Sequence, residues 1–169
     1  MRKWIILILI ISFSFILIFF STNRGKYVPE LELLYEGKMD QIEFGIGSNY
    51  NDIIGQWGNP DENVDFMGAI LLVYNGIYFF INDNQVVGIY YNGEKIIYGT
   101  QIGMSDKQLE ETLGKPNDTY ISHYSELYTD DNLILNYKAD KYMVNFEINP
   151  ESKKIESISI WPKDSKSFT

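Results

Sequence analysis

The sequence predicts an α+β fold of two tandem units, each a short helix followed by an antiparallel sheet of three or four strands, behind an N-terminal transmembrane helix. Three observations predict it. The phrase "IGSNYNDIIGQWGNP", beginning at Ile46, returns without a gap as "IGMSDKQLEETLGKP", beginning at Ile102. After each copy come short runs of β-branched and aromatic residues broken at Asn, Asp and Gly, the pattern of hairpin-linked strands. The chain also opens with an uncharged apolar run from Trp4 to Phe20.

That opening run, as a helix, spans about 26 Å, close to the thickness of a hydrocarbon core. A cleavable signal peptide is the rival reading, but its apolar region is usually roughly 7 to 15 residues and ends in small residues. Here the run ends Phe19-Phe20-Ser21-Thr22, a poor cleavage site, so residues 1–21 are predicted as an uncleaved anchor, with secretion following if cleavage does occur. Arg2 and Lys3 hold the N-terminus in the cytoplasm, which places the rest of the chain, including the tether at 22–28, outside the membrane. The absence of cysteine excludes a lipidated anchor and leaves stability to the core.

Next, Pro29 stands in the first turn of a predicted helix that turns Leu31, Leu34 and Tyr35 to the core and ends at Gly37. It opens the first unit, 29–98. The first copy of the phrase supplies Asn49 as helix cap, Asp52 three residues on, Ile53 and Trp57 as a buried pair, Gly58 as terminator and Pro60 as stop. The second copy opens the second unit, 99–163, with fuller signals. Ser105 and Gln108 have capping-box spacing, Met104 and Leu109 form a hydrophobic staple, Leu109 and Leu113 share one face, and Gly114 and Pro116 end the helix. Helices this short are marginal alone, so each is expected to lie on its own sheet. Residues 164–169 are a tail.

The first sheet follows Pro60, with turns expected at Asn75-Gly76, Asn82 to Asn84 and Asn92-Gly93, the last a hairpin. The second follows Pro116, with turns at Ala139-Asp140 and Pro150. Its alternation puts Leu133, Leu135, Tyr137, Val144, Phe146, Ile148, Ile158 and Ile160 on a buried face and Asn136, Asn145, Glu147 and Ser159 on a wet one. Aligning Tyr74 with Tyr137 and Phe80 with Phe146 puts Leu72, Tyr74, Tyr78 and Phe80 in the first core. The opposite face, Leu71, Val73, Ile77, Phe79 and Ile81, is then wholly apolar, and these five are the candidate partner-binding residues. Two readings stand: a docking surface for another protein, or a face covered by the N-terminal helix or the second unit.

The chain carries a formal net charge of −9, and the exported part is more acidic still once Arg2 and Lys3 are set aside. Such a surface argues against nucleic acid and anionic lipid as partners and permits a basic protein or divalent cations. With one histidine, His123, and no cysteine, a thiol nucleophile, a Cys-based zinc site and a multi-histidine metal site are excluded. Ser122 or Ser125 near His123 forms no nucleophile elbow. Carboxylates cluster at Asp61, Glu62 and Asp65 and at Asp130 and Asp131, the latter pair reading as a hairpin turn. Nothing asks for a cofactor.

Five blocks in order, "LLYEGKMDQIEF", "WGNPDENVDFMGAILLVY", "VVGIYY", "LGKPNDTY" and "IESISIWPK", resemble the YjgB-like family of exported or membrane-bound Bacillus proteins of unknown function. The resemblance runs from Leu31 to Lys163. The phrase G-M-S-x-x-x-L-x-x-x-L-G-x-P is similar to those of the outer-membrane assembly lipoprotein BamE and the beta-lactamase inhibitor protein, which implies a BLIP-like duplicated fold. Neither relative brings catalytic residues and both bind proteins. The chain is therefore read not as an enzyme but as a membrane-tethered, extracytoplasmic protein-binding or inhibitor-like module with an unknown protein partner in the cell envelope. The alternative is a cell-envelope hydrolase using paired carboxylates.

Overall fold

The computed structural model describes residues 28–66, 68–122 and 131–164. The chain enters through a 3-10 helix at Pro29–Glu36 and then forms α1 (Tyr50–Trp57). A four-strand meander follows: β1 (Glu62–Phe66), β2 (Ala69–Tyr74), β3 (Ile77–Asn82) and β4 (Gln85–Tyr91). Then come α2 (Asp106–Leu113) and a second meander, β5 (Asp118–Ile121), β6 (Leu133–Ala139), β7 (Tyr142–Ile148) and β8 (Ile155–Pro162). The architecture is α+β, as predicted.

The two meanders do not form separate sheets. They join through their last strands into one eight-stranded antiparallel sheet in the order β1-β2-β3-β4-β8-β7-β6-β5, with Ile89 opposite Ile160 and Tyr91 opposite Ile158 at the seam. Expecting one sheet per helix missed this because the pairing links residues about seventy apart, although without it β4 and β8 would each be left as an exposed edge. The same pairing removes the hairpin predicted at Asn92-Gly93. β4 turns to β8 for its partner, and Asn92-Gly93 instead starts the connection to α2.

Both helices and the 3-10 helix pack on one face of this sheet. Leu31, Leu34, Ile53, Leu109 and Leu113 share a single buried cluster with Leu72, Phe79, Ile89, Tyr137, Phe146, Ile158 and Ile160. Tyr35 was expected in that core but is 43% exposed. A 3-10 helix repeats every three residues, so Leu31 and Leu34 align and residue 35 turns away.

The local signals of the two helices are realised unequally. Asn49 accepts a hydrogen bond from the Asn51 N–H at 2.8 Å. Ser105 has both halves of the capping box, with its Oγ accepting from the Gln108 N–H at 3.3 Å and its own N–H donating to Gln108 Oε1 at 3.1 Å. Ser105→Ala is expected to lower stability by about 1 kcal/mol, a melting shift of roughly 3 °C at this chain length. Thermal circular dichroism checks it.

Hydrogen bonds around the helices come in matched pairs. The Tyr50 N–H donates to Asn84 O and the Asp106 N–H to Lys153 O, both at 3.0 Å; Gly47 N–H donates to Val86 O and Gly103 N–H to Ile155 O, both at 2.8 Å. Asp61 and Asn117, each just after the stop proline, use their backbone N–H on Val73 O and Asn136 O. Their side chains accept from the N–H of Asn75 and of Lys138. The phenols of Tyr74 and Tyr137 donate to Gly58 O and Gly114 O at 2.8 and 2.9 Å, tying each helix end to the sheet.

The expected Trp4–Phe20 anchor, most of the tether and the tail lie outside the described residues. Among the described residues no helix is long and apolar enough to cross a membrane.

Candidate functional site

The register of the β2–β3 hairpin decides which apolar side chains could face a partner. Asn75 and Gly76 make a two-residue turn with φ of 41° and 81°, the left-handed pair that Asn-Gly favours. Tyr74 therefore lies opposite Ile77, Leu72 opposite Phe79 and Val73 opposite Tyr78. Residues directly opposite share a face, so even-numbered residues of β2 go with odd-numbered residues of β3. The five candidates consequently do not form one surface. Ile77, Phe79 and Ile81 join Leu72 in the helix-covered core, whereas Leu71 and Val73 lie on the other face with Tyr78 and Phe80. The same step shows that Phe146 corresponds to Phe79 and not to Phe80, since Tyr137 lies opposite Val144 as Tyr74 lies opposite Ile77.

The face away from the helices has two halves. Over the first meander it is apolar: Leu71, Val73, Phe80 and Trp161 form a cluster joined by Phe66, Tyr78, Val87, Tyr90 and Met143. Phe80 and Trp161 stack with centroids 5.0 Å apart, and Tyr78 and Tyr90 meet edge to face at 5.3 Å. The Trp161 indole lies across β4, which has Gly88 beneath it, and donates from Nε1 to Ser159 Oγ at 3.0 Å.

Over the second meander the same face is polar but not wet. Asn136, Asn145, Glu147, Ser157 and Ser159 are all buried. Alternation in the sequence reported polarity, and all but one of these groups find partners along the sheet. Asn136 Nδ2 donates to Asn145 Oδ1 at 2.6 Å, Ser157 Oγ to Glu147 Oε2 at 2.6 Å, and Asn132 Nδ2 to Glu147 Oε1 at 2.9 Å. Asn136 Oδ1 accepts no hydrogen bond. Phe80, Tyr90, Glu147, Ser159 and Trp161 make additional contacts. Among the described residues no helix packs on this face.

The residues weighed for catalysis fall apart. The Asp61 carboxylate accepts from the Asn75 N–H at 2.9 Å, and Glu62 and Asp65 lie on β1, where an odd spacing sends them to opposite faces. Asp131 has φ of 66° in a turn, and Ser122 donates its Oγ to Asn132 O at 3.1 Å. His123, Ser125 and Asp130 lie outside the described residues. Glu147 and Glu156, which sequence reasoning did not pair, both accept from Asn132 Nδ2, at 2.9 Å each. Nothing local in the sequence marks that pairing, because it depends on the register of β7 and β8.

Among the described residues four tyrosines titrate high. Burial pushes the Tyr98 phenol well above the usual range, and the Asp40 carboxylate adds to it. Burial likewise raises Tyr137, with Glu110 assisting, and also raises Tyr74 and Tyr91. A folded-state pKa above the unfolded value means that the folded protein holds its protons longer. Stability is thus fully present below about pH 10 and falls as pH rises above it. A melting series across pH 8 to 12 is expected to show a steep alkaline loss, flattened in Tyr98→Phe and Tyr137→Phe.

Comparison with known proteins agrees with this architecture. The structure is similar to the crystal structure of a DUF4309 family protein, YjgB, from Bacillus subtilis, with a TM-score of 0.62 and 18% identity over 80% of this chain and 95% of that one. It is also similar to an extracellular protein containing an SCP domain from Bacillus anthracis, with a TM-score of 0.51 and 14% identity over 70% of this chain but only 44% of that one. At these identities the likeness is one of fold. No curated protein matches the sequence. The model of the family described as "Domain of unknown function (DUF4309)" matches residues 20–161. That span is most of the chain, and the resemblance to YjgB-like proteins is borne out: the chain belongs to the DUF4309 family.

Proposed function

We propose that this chain is a membrane-tethered, extracytoplasmic protein-binding module, inhibitor-like in kind, whose sheet docks a partner through the face away from the helices. The observation that carries the reading is the composition of that face. The half-buried Tyr78, Val87 and Tyr90 rim a cluster of Leu71, Val73, Phe80 and Trp161, each of which is itself at most 9% exposed, beside a hydrogen-bonding strip, an apolar and aromatic centre with polar groups at its side of the kind protein interfaces use. The three helices among the described residues are all spent on the opposite face. A tandem duplication of one helix-plus-meander unit, as the BLIP resemblance implies, accounts for the matched hydrogen bonds at Tyr74 and Tyr137 and at Asp61 and Asn117. Divergence would then have made one half of the outer face apolar and the other polar.

Two experiments test the reading. A photo-crosslinking residue at Tyr78 should give a discrete adduct with one envelope protein in living cells, while the same residue at Gln56, on the exposed side of α1, gives none. Equal adducts from both positions, or none from Tyr78, would overturn it. Protease added to protoplasts should degrade the domain before lysis, and protection until lysis would refute export.

A further inference from the structure

We infer that the free edge of β1 is a docking site for an extended, basic segment of a protein partner, one that adds to the sheet beside β1 and alternates cationic with apolar side chains. The inference goes beyond the docking face proposed above and stands without it. β1 ends the sheet, so the backbone N–H and C=O groups that do not point at β2 are open to pairing. Natural edges are often closed by lysine or proline, and β1 has neither; its charges are the exposed Glu62 and Asp65. From Met39 to Glu94, a stretch that holds α1 and the whole first meander, the sequence has eight Asp or Glu and no Lys or Arg. Lys95, which shares a groove with the β2–β3 turn, follows Glu94 and donates to Gln41 O at 2.8 Å. Among the described residues the only ion pair is Lys38 with Glu36, so the acids of β1 are not spent on a neighbouring cation. The opposite edge differs: Lys115 and Lys138 line a groove with Asn117, the residue before β5, and Lys138 lies two residues from Asn136, the partner of Asp118.

The two faces of β1 set the pattern of the added strand. Val64 lies opposite Leu71 and Phe66 opposite Ala69 on the face away from the helices, whereas Asn63 lies opposite Leu72 and Asp65 opposite Ile70 on the helix side. Phe66 joins the outer apolar cluster and Val64 is 44% exposed, so apolar side chains of an added strand would extend that cluster across the edge. On the helix side Asp65 and Asp83 line one groove with Tyr50, Ile70 and Ile81, and Ile70 is 37% exposed. Exposed isoleucine between two carboxylates suits a lysine or arginine, whose stem lies on the apolar surface while its head meets the acids. Main-chain pairing would supply affinity and the alternate side chains specificity, the mode of strand addition. A second copy of this chain would bring Glu62 and Asp65 against the same acids, which repels; a cationic strand is not excluded by them.

The test uses the full chain in uncharged detergent micelles and a fluorescent, end-capped octapeptide that alternates lysine with valine, followed by fluorescence anisotropy. Two control peptides have the same composition: one groups its lysines and valines in two blocks, and one keeps the alternation but is methylated on every backbone nitrogen. The expected result is saturable binding of the alternating peptide, one per chain, with both controls at least about ten-fold weaker, a difference of about 1.4 kcal/mol. Asp65→Lys and Glu62→Lys, each replacing an exposed side chain, should melt close to wild type and weaken binding about five-fold, while Asp118→Lys on the β5 edge leaves it unchanged. Equal binding of the alternating and methylated peptides would reduce the effect to general attraction by an acidic surface and overturn strand addition. Loss of binding from Asp118→Lys as large as that from Asp65→Lys would remove the site from β1, and no binding of the alternating peptide would refute the inference outright. A chain that dimerises on sedimentation and releases the peptide as it does so would give the edge to a second copy, which equally overturns it.

Discussion

Phe79→Asp is expected to abolish folding. Phe79 is fully buried at the centre of an aromatic cluster, with ring centroids 5.7 Å from Trp57, 6.3 Å from Tyr74 and 6.5 Å from Phe44. The two donors of that cluster, Trp57 Nε1 and the Tyr74 hydroxyl, are already committed to Glu43 and to Gly58 O. Removing the ring alone costs about 3 to 5 kcal/mol, and an unpaired buried charge adds several more. The sum approaches the whole stability of a domain, about 5 to 15 kcal/mol. Far-ultraviolet circular dichroism should show a collapsed spectrum or no cooperative melt. A folded Phe79→Asp would mean that β3 presents this residue outward, contrary to the register of the β2–β3 hairpin.

Gly88→Ala is expected to be the most damaging small substitution on the other face. A Cβ there would sit 2.0 Å from Trp161 Cζ3 and 2.4 Å from Cε3, inside the contact distance of a rigid ring. The indole would have to leave its place on β4, giving up its stack on Phe80 and its hydrogen bond to Ser159. Overpacking of this kind costs about 1 to 3 kcal/mol, and near-ultraviolet circular dichroism should report the displaced indole. Making room by Trp161→Leu should render Gly88→Ala almost neutral in that background, a coupling that a double-mutant cycle measures. Additive effects would show that the two residues do not touch.

What the sequence disclosed and what it hid follow one physical division. The caps at Asn49 and Ser105, the stops at Gly58-Pro60 and Gly114-Pro116, and the turn at Asn75-Gly76 are local, set by the conformations that a few neighbouring residues prefer. All were legible. Which face a strand residue joins depends on the number of residues in the turn before it. The two-residue turn at Asn75-Gly76 reverses the parity between β2 and β3, and carrying Tyr78 and Phe80 into the core with Leu72 overlooked that reversal.

The edge strands β1 and β5 were missed because they are short and almost wholly exposed and set Glu62, Asn63, Asp65, Asp118 and Thr119 among their few apolar residues. Charge on an edge is how sheets avoid pairing with one another, and the same charge hides the strand from a hydrophobic pattern. The joining of β4 to β8 links residues about seventy apart, beyond any local signal. The buried strip of Asn136, Asn145, Glu147 and Ser159 could not be told from a wet face, because alternation reveals polarity and not accessibility.

The candidate site is therefore half legible: Leu71 and Val73 were found, whereas Trp161, Phe80 and the polar strip emerge only from the register. The central claim is that the face away from the helices binds a protein partner, and Tyr78, half-buried on that face and one residue from Phe79, gives the sharpest test. Tyr78→Asp in the full chain should melt cooperatively, close to the wild-type temperature, while losing the envelope protein that wild type captures by crosslinking. A folded Tyr78→Asp protein that still captures that protein at the wild-type level would contradict the claim.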